Sequence, residues 1–260
     1  NKTWTTAEKA IASPMPPAPR RGRGLQLEDE AAQHVVLREG RLVLLVTGIG
    51  GTVGSTVRLD LTTGREDEFR QIDNTALDFH EDPDGTIWAG TPAGLKRLEP
   101  VSGKLTDYRQ DPEDPGSLGP GWVWAVLRDR ERRLWVGTGE GGLNLLLPDG
   151  SFRRFANDPA NPYSLSENYV TALHQDGAGR IWVGTRSGGL NLFDPTSGLF
   201  QRFQPDPVDE LSISHHYVSS ILEDNRGRLW IGTCGGGINL LHQQEGLETP
   251  VGFTRFTERD

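Results

Sequence analysis

Four tryptophans, Trp88, Trp135, Trp182 and Trp230, stand 47, 47 and 48 residues apart, and around each lies the same phrase. Ile87-Trp88-Ala89-Gly90-Thr91 recurs as Leu134-Trp135-Val136-Gly137-Thr138, as Ile181-Trp182-Val183-Gly184-Thr185 and as Leu229-Trp230-Ile231-Gly232-Thr233. A period of this length requires one supersecondary unit used repeatedly, each burying its apolar surface against the next.

Within one period the pattern reads as four short strands. Val170–His174 is the first, followed by the turn Asp176-Gly177-Ala178-Gly179, where Gly supplies positive φ and Asp bonds its own backbone. Residues 180–185 form the second strand, Gly188-Gly189 turns the chain into a third over 190–194, and Pro195-Thr196-Ser197-Gly198 leads to an outer strand over 199–203. Phe200 and Phe203 make an outer aromatic pair, paralleled by Phe152 and Phe155 one repeat earlier. Composition agrees, since Gly (33) and Pro (17) are abundant and hydrophobic residues make up 35%. Many short strands joined by turns give that balance, whereas Gly and Pro are the poorest helix formers. The predicted fold is an all-β propeller of four-stranded antiparallel blades. The period exceeds that of a WD40 blade and is close to a kelch blade. No Trp-Asp dipeptide or Gly-His pair falls in register, which excludes WD40.

Four regular blades are expected over 75–260, at about 75–122, 123–169, 170–217 and 218–260. A degenerate blade precedes them over 31–74, with Val43 where the tryptophan belongs. The leader over 1–30 contains Pro14, Pro16, Pro17 and Pro19 followed by Arg20, Arg21 and Arg23, and reads as a disordered segment. No strand is set aside to lock the first blade to the last. The expectation is about five blades of a larger propeller, continued in a longer protein.

The net charge of -9 opposes a nucleic-acid backbone or an anionic membrane surface as partner, because both need a basic face. One cysteine, Cys234, excludes an internal disulfide framework and a Cys-built zinc site. The longest apolar runs, such as Leu42–Val46, fall far short of the ~20 residues that span a bilayer.

Ser164-Leu165-Ser166-Glu167-Asn168-Tyr169-Val170, then Asp176, then Gly179-Arg180-Ile181-Trp182-Val183-Gly184-Thr185 and Gly188-Gly189-Leu190-Asn191 form one composite phrase. It resembles the two-component regulator propeller repeat, over about residues 75–256. Arg132 replaces the turn glycine in one copy, and Ala93-Gly94-Leu95-Lys96 lacks the Gly-Gly and Asn of another. The resemblance implies the periplasmic sensor of a bacterial hybrid histidine kinase or related signalling protein, anchored through a transmembrane segment outside this sequence and acting there as a homodimer. It implies an input module with no catalytic residue of its own. Similar sensors are associated with glycans, so carbohydrate is one implied ligand class beside a protein partner. The phrase also resembles streptogramin-lyase propellers, but their histidine and metal-binding acid find no counterpart in the repeat. That enzyme reading and a pure interaction scaffold are the alternatives.

Candidate chemistry lies on the long loops between blades, over 111–122, 157–169 and 206–217. Each ends in an aromatic, Trp122, Tyr169 or Tyr217, at the end of the propeller that also carries the Gly-rich turns. With Asn168, Arg186, His215 and His216 adding donors, these residues are the predicted ligand-binding face, since function concentrates on scaffolded loops. The four repeated tryptophans are read as packing between blades. His215-His216 is no metal site, because adjacent strand residues point opposite ways. Asp82, Asp129, Asp176 and Asp224 recur in every blade and suit turn chemistry. Gly48-Ile49-Gly50-Gly51-Thr52-Val53-Gly54 imitates a dinucleotide phosphate loop, but a strand follows where that motif needs a helix. No cofactor or metal is expected.

Overall fold

The computed structural model describes residues 31–38, 41–47, 55–60, 66–68, 76–99, 101–242 and 252–257, so the expected leader over 1–30 lies outside the described residues. The chain divides into two units, 1–75 and 76–260. In the first, β1 (Ala31–Arg38), β2 (Arg41–Thr47), β3 (Ser55–Asp60) and β4 (Glu66–Glu68) form one antiparallel sheet in sequential order. The segment after the glycine-rich run is therefore strand β3, and the run does not open a helix.

The second unit holds four meander sheets, numbered here as blades 2 to 5. Blade 2 is β5 (Asp78–Glu81), β6 (Ile87–Thr91), β7 (Gly94–Glu99) and β8 (Lys104–Tyr108). Blade 3 is β9 (Val123–Arg128), β10 (Leu134–Thr138), β11 (Gly142–Leu146) and β12 (Phe152–Phe155). Blade 4 is β13 (Val170–Gln175), β14 (Ile181–Thr185), β15 (Leu190–Asp194) and β16 (Leu199–Phe203). Blade 5 is β17 (Val218–Glu223), β18 (Leu229–Thr233), β19 (Gly237–His242) and β20 (Gly252–Phe256). First strands touch first strands, β5 with β9, β9 with β13 and β13 with β17, as in a radial stack about a common axis. No described residue is helical, and none belongs to a helix able to cross a membrane.

Each position of the repeated phrase has its own packing role, because alternate side chains of a strand face opposite ways. Ile181 and Val183 point back to blade 3 and join Trp135, Leu143 and Phe193 in one core cluster. Trp182 points forward and joins Leu229, Ile231 and Phe253 of blade 5 in the next. Trp88 does the same with Val126, Leu134 and Phe152 of blade 3. The tryptophans thus pack neighbouring sheets face to face. Gly184 is small because the next blade comes close: a Cβ there would meet Val218 Cγ1 at 2.6 Å. Thr185 donates its hydroxyl to the Gly189 carbonyl at 2.9 Å and accepts the Gly188 amide at 3.1 Å, which builds the second turn.

The repeated aspartate does more than shape a turn. Trp88, Trp135, Trp182 and Trp230 donate Nε1–H to Asp82, Asp129, Asp176 and Asp224 at 2.8, 2.7, 2.8 and 3.0 Å. In blades 3 to 5 the same carboxylate receives Nε of Arg133, Arg180 or Arg228 at 2.6 to 2.7 Å. A buried indole N–H needs such an acceptor, and this one sits one turn away in its own blade.

Candidate ligand-binding face

The long loops are fixed to the blade that each one precedes. Asn144, Asn191 and Asn239, all fully buried on third strands, accept the amides of Gly119, Ser166 and Ser214 at 3.0, 3.0 and 2.8 Å. Inside each loop a serine hydroxyl closes the turn. Ser117, Ser164 and Ser212 accept the amides of Asp111, Asp158 and Asp206 at 2.9, 2.8 and 2.8 Å. Arginines of the outer strands, Arg154, Arg202 and Arg255, then bond the carbonyls of those serines at 2.9, 2.9 and 2.8 Å. Loops tied at three points present their tips with little conformational freedom left to lose on binding.

The tips meet the second turns at one end of the blades. Gly139, Arg186 and Cys234 donate amides to the carbonyls of Trp122, Tyr169 and Tyr217 at 2.9, 3.0 and 2.9 Å. On this face the side chains form a continuous row. Trp122, 50% exposed, stacks on Trp124 with centroids 5.6 Å apart. Trp124 lies 5.7 Å from Tyr169, and the Arg186 guanidinium covers Tyr169 at 5.0 Å. A pocket of about 270 Å³ opens beside Trp122, bounded by Ala93, Gly94, Arg109, Gln110 and Leu118. That is just under the range usual for whole small-molecule sites, so it suits one end of a ligand.

Of the residues singled out from sequence, Trp122, Tyr169 and Arg186 come together in this row. His215 and His216 lie one repeat further on, edge to face at 6.3 Å. His215 Nδ1 accepts the Tyr217 amide at 3.0 Å, so that nitrogen is already engaged. Asn168 spends its side-chain carbonyl on the Asn157 amide at 2.7 Å and its main-chain carbonyl on Gly142. Tyr217 takes part through its carbonyl.

Trp124 is the member that sequence reasoning missed. The pairing of β9 with β10 passes from Ala125 opposite Gly137 to Val123 opposite Thr138, so Trp124 is the extra residue of a bulge. A bulge re-aims its side chain, here into the gap between Trp122 and Tyr169. Thr171 and Ser219 occupy the same bulge in blades 4 and 5. Its Nε1–H is buried without a hydrogen-bond partner among the described residues. The available signal was compositional, a tryptophan outside the 47-residue register.

The sequence model described as two component regulator propeller matches residues 117–140, 164–187 and 212–235, each the end of a long loop with the first two strands after it. No curated protein matches the chain. Among solved structures it is similar to two of the extracellular domain of BT4673 from Bacteroides thetaiotaomicron, described in one as a one component and in the other as a hybrid two component system. Identity is 24% to each, with TM-scores of 0.60 and 0.62. These alignments cover 79% and 82% of this chain but only 26% and 27% of those structures, so the chain spans about a quarter of their length. A Bacteroides thetaiotaomicron protein of unknown function is 15% identical with a TM-score of 0.51, over 77% of this chain and 56% of that one. The likenesses establish the propeller architecture.

Proposed function

We propose, on the premise that this is a chain of two component regulator propeller repeats, that it is the extracytoplasmic input module of a bacterial signal-transduction protein. It acts as a recognition surface and carries no reaction of its own. The module occupies the periplasm, with membrane anchor and output domain supplied by other parts of a longer protein. Similarity to the extracellular domains of BT4673 supports this placement.

The observation that carries the binding role is the open row Trp122–Trp124–Tyr169–Arg186 on loops already tied down. Flat aromatic faces beside a guanidinium suit a ligand with apolar faces and polar edges, and carbohydrate is the class proposed. Binding there would report through Trp122, whose half-exposed indole changes its emission when covered. The test is a panel of soluble oligosaccharides titrated against the chain by tryptophan fluorescence and calorimetry. Expected is saturable binding by one glycan class, weakened at least tenfold in W122A and in Y169A while unfolding midpoints stay within a few degrees. Binding that is indifferent to both substitutions would move the site off this face, and a panel without any binder would remove carbohydrate as the class.

A further inference from the structure

The blades repeat so closely that departures from the repeat carry information, and three of them fall on one spot. Two residues before the tryptophan, blades 3, 4 and 5 place an arginine over the ring: Arg133 on Trp135 at 5.5 Å, Arg180 on Trp182 at 5.4 Å and Arg228 on Trp230 at 5.3 Å. Blade 2 has Thr86 there. On the third strand, Leu145 pairs in register with Trp135 and Leu192 with Trp182, and both pack into the seam to the next blade. Blade 2 has Arg97 opposite Trp88. In the first turn, Gly85, Gly179 and Gly227 take φ of 84°, 85° and 73°. Blade 3 has Arg132 at φ 64°, a left-handed conformation that L side chains rarely adopt.

Thr86, Arg97 and Arg132 line a single cleft of about 610 Å³ at the seam between blades 2 and 3, at the end away from the long loops. Thr86 leaves the place of the usual covering arginine open, and the Trp88 ring is covered instead by Arg97 at 5.6 Å and by Arg128 of the next blade at 5.5 Å, which brings both guanidinium groups into the cleft. The third departure holds a cation at the rim in a strained backbone, and such strain points to a functional constraint. The volume falls within the range usual for small-molecule sites.

The walls differ in chemistry. Leu146, Leu147 and Pro148 form an apolar side. Opposite them are guanidinium groups beside the carboxylates of Asp82, Asp84 and Glu131, and not all of the cations are spent. Arg128 is committed to Asp82, with Nε at 2.8 Å and Nη2 at 2.6 Å, and Arg133 to Asp129 and Glu131. Arg97 holds Glu99 through one nitrogen at 3.0 Å and keeps about a third of its side chain in water. Arg132 bonds through its main chain alone, to the Asp129 carbonyl and to Arg128 Nη1, and its guanidinium has no partner among the described residues. We propose that this cleft binds a small amphiphilic organic anion, its carboxylate, sulfonate or phosphate held by Arg132 and Arg97 and its apolar body laid on Leu146 and Pro148. The site is separate from the loop face.

The probe is 8-anilinonaphthalene-1-sulfonate, an aromatic body with one sulfonate, titrated into the whole chain by fluorescence and equilibrium dialysis. R132G removes the unpaired cation and restores the glycine of the other blades. T86R restores the arginine that covers tryptophan elsewhere. Expected is one saturable site per chain, weakened at least tenfold in R132G and abolished in T86R, with the unfolding midpoint of neither variant lowered. N-phenyl-1-naphthylamine, the same body without sulfonate, binds at least tenfold more weakly. An absence of saturable binding to the native chain overturns the proposal. So does probe binding that survives both substitutions, or equal affinity for the uncharged analogue.

Discussion

The indole of Trp182 donates its Nε1–H to Asp176 Oδ2 at 2.8 Å, with both side chains buried. Oδ2 also takes Arg180 Nε at 2.7 Å, and Oδ1 takes the amides of Arg180 and Ala178 at 2.9 and 3.1 Å. One carboxylate therefore satisfies two side-chain donors and two turn amides, while Arg180 covers the indole. D176A strands the buried indole N–H and leaves Arg180 without its counter-charge. Each loss costs about 1–3 kcal/mol, so the substitution should lower stability by about 3 kcal/mol or more. Urea unfolding with an unchanged slope checks this. A loss under about 1 kcal/mol would mean that water replaces the carboxylate easily.

Asn191 links fold to binding face. Its Oδ1 accepts the Ser166 amide at 3.0 Å, and its Nδ2 donates to Ser166 Oγ at 2.8 Å and to the Val183 carbonyl at 3.2 Å. N191A should cost about 2 kcal/mol, since buried partners lose their bonds without gaining water. Its effect should be local as well. Amide exchange should quicken through residues 157–169 while β14 keeps its protection. Uniform acceleration across the blade would show that Asn191 supports the sheet and not the loop.

The strands, the turns and the packing of the tryptophans between blades were legible in the sequence because each depends on neighbours within a few residues or on a fixed period. The Asp176–Trp182 bond was not. Six residues separate the partners across a turn, and aspartate is so common in turns that its second role leaves no pattern. Trp124 was hidden because a bulge breaks the two-residue alternation by which its direction would be read. Thr86, Arg97 and Arg132 each pass as local decay of a repeat. They belong to different strands and turns, and only the stacking of blade 2 on blade 3 shows that they share one cleft.

Asp78 should make stability depend on pH in mildly acid solution. It sits on β5 and accepts the Val126 amide of the next blade at 2.7 Å and the Phe79 amide at 2.8 Å. Burial pushes its carboxyl from 3.8 up to about 6, against the pull of those two bonds. The folded chain then holds this proton more tightly than the unfolded chain does. The stability Asp78 contributes is full below about pH 4 and is lost as pH rises through about 6. D78N does not titrate. The unfolding midpoint of the native chain minus that of D78N should fall between pH 4 and 6 and stay level above 7. A difference that rises across that interval would contradict the burial argument.

Ile238 of blade 5 occupies the register position of Leu190 in blade 4, opposite the glycine of the repeated phrase. Leu190 is fully buried beneath Trp182, whereas Ile238 is 50% exposed, with its cross-strand partner Phe256 at 41%. The same substitution should therefore have opposite consequences at the two sites. L190K places an unpaired charge in a closed seam and should cost more than about 4 kcal/mol. I238K lets its ammonium reach water and should cost under about 1 kcal/mol, judged from paired urea titrations. I238K should also reduce self-association, because a contiguous apolar flank is a surface for adventitious contact. Equal damage at both positions would mean that the flank is covered in solution. Sedimentation of the native chain would then separate a second copy, which raises the mass, from a contact within one chain, which does not.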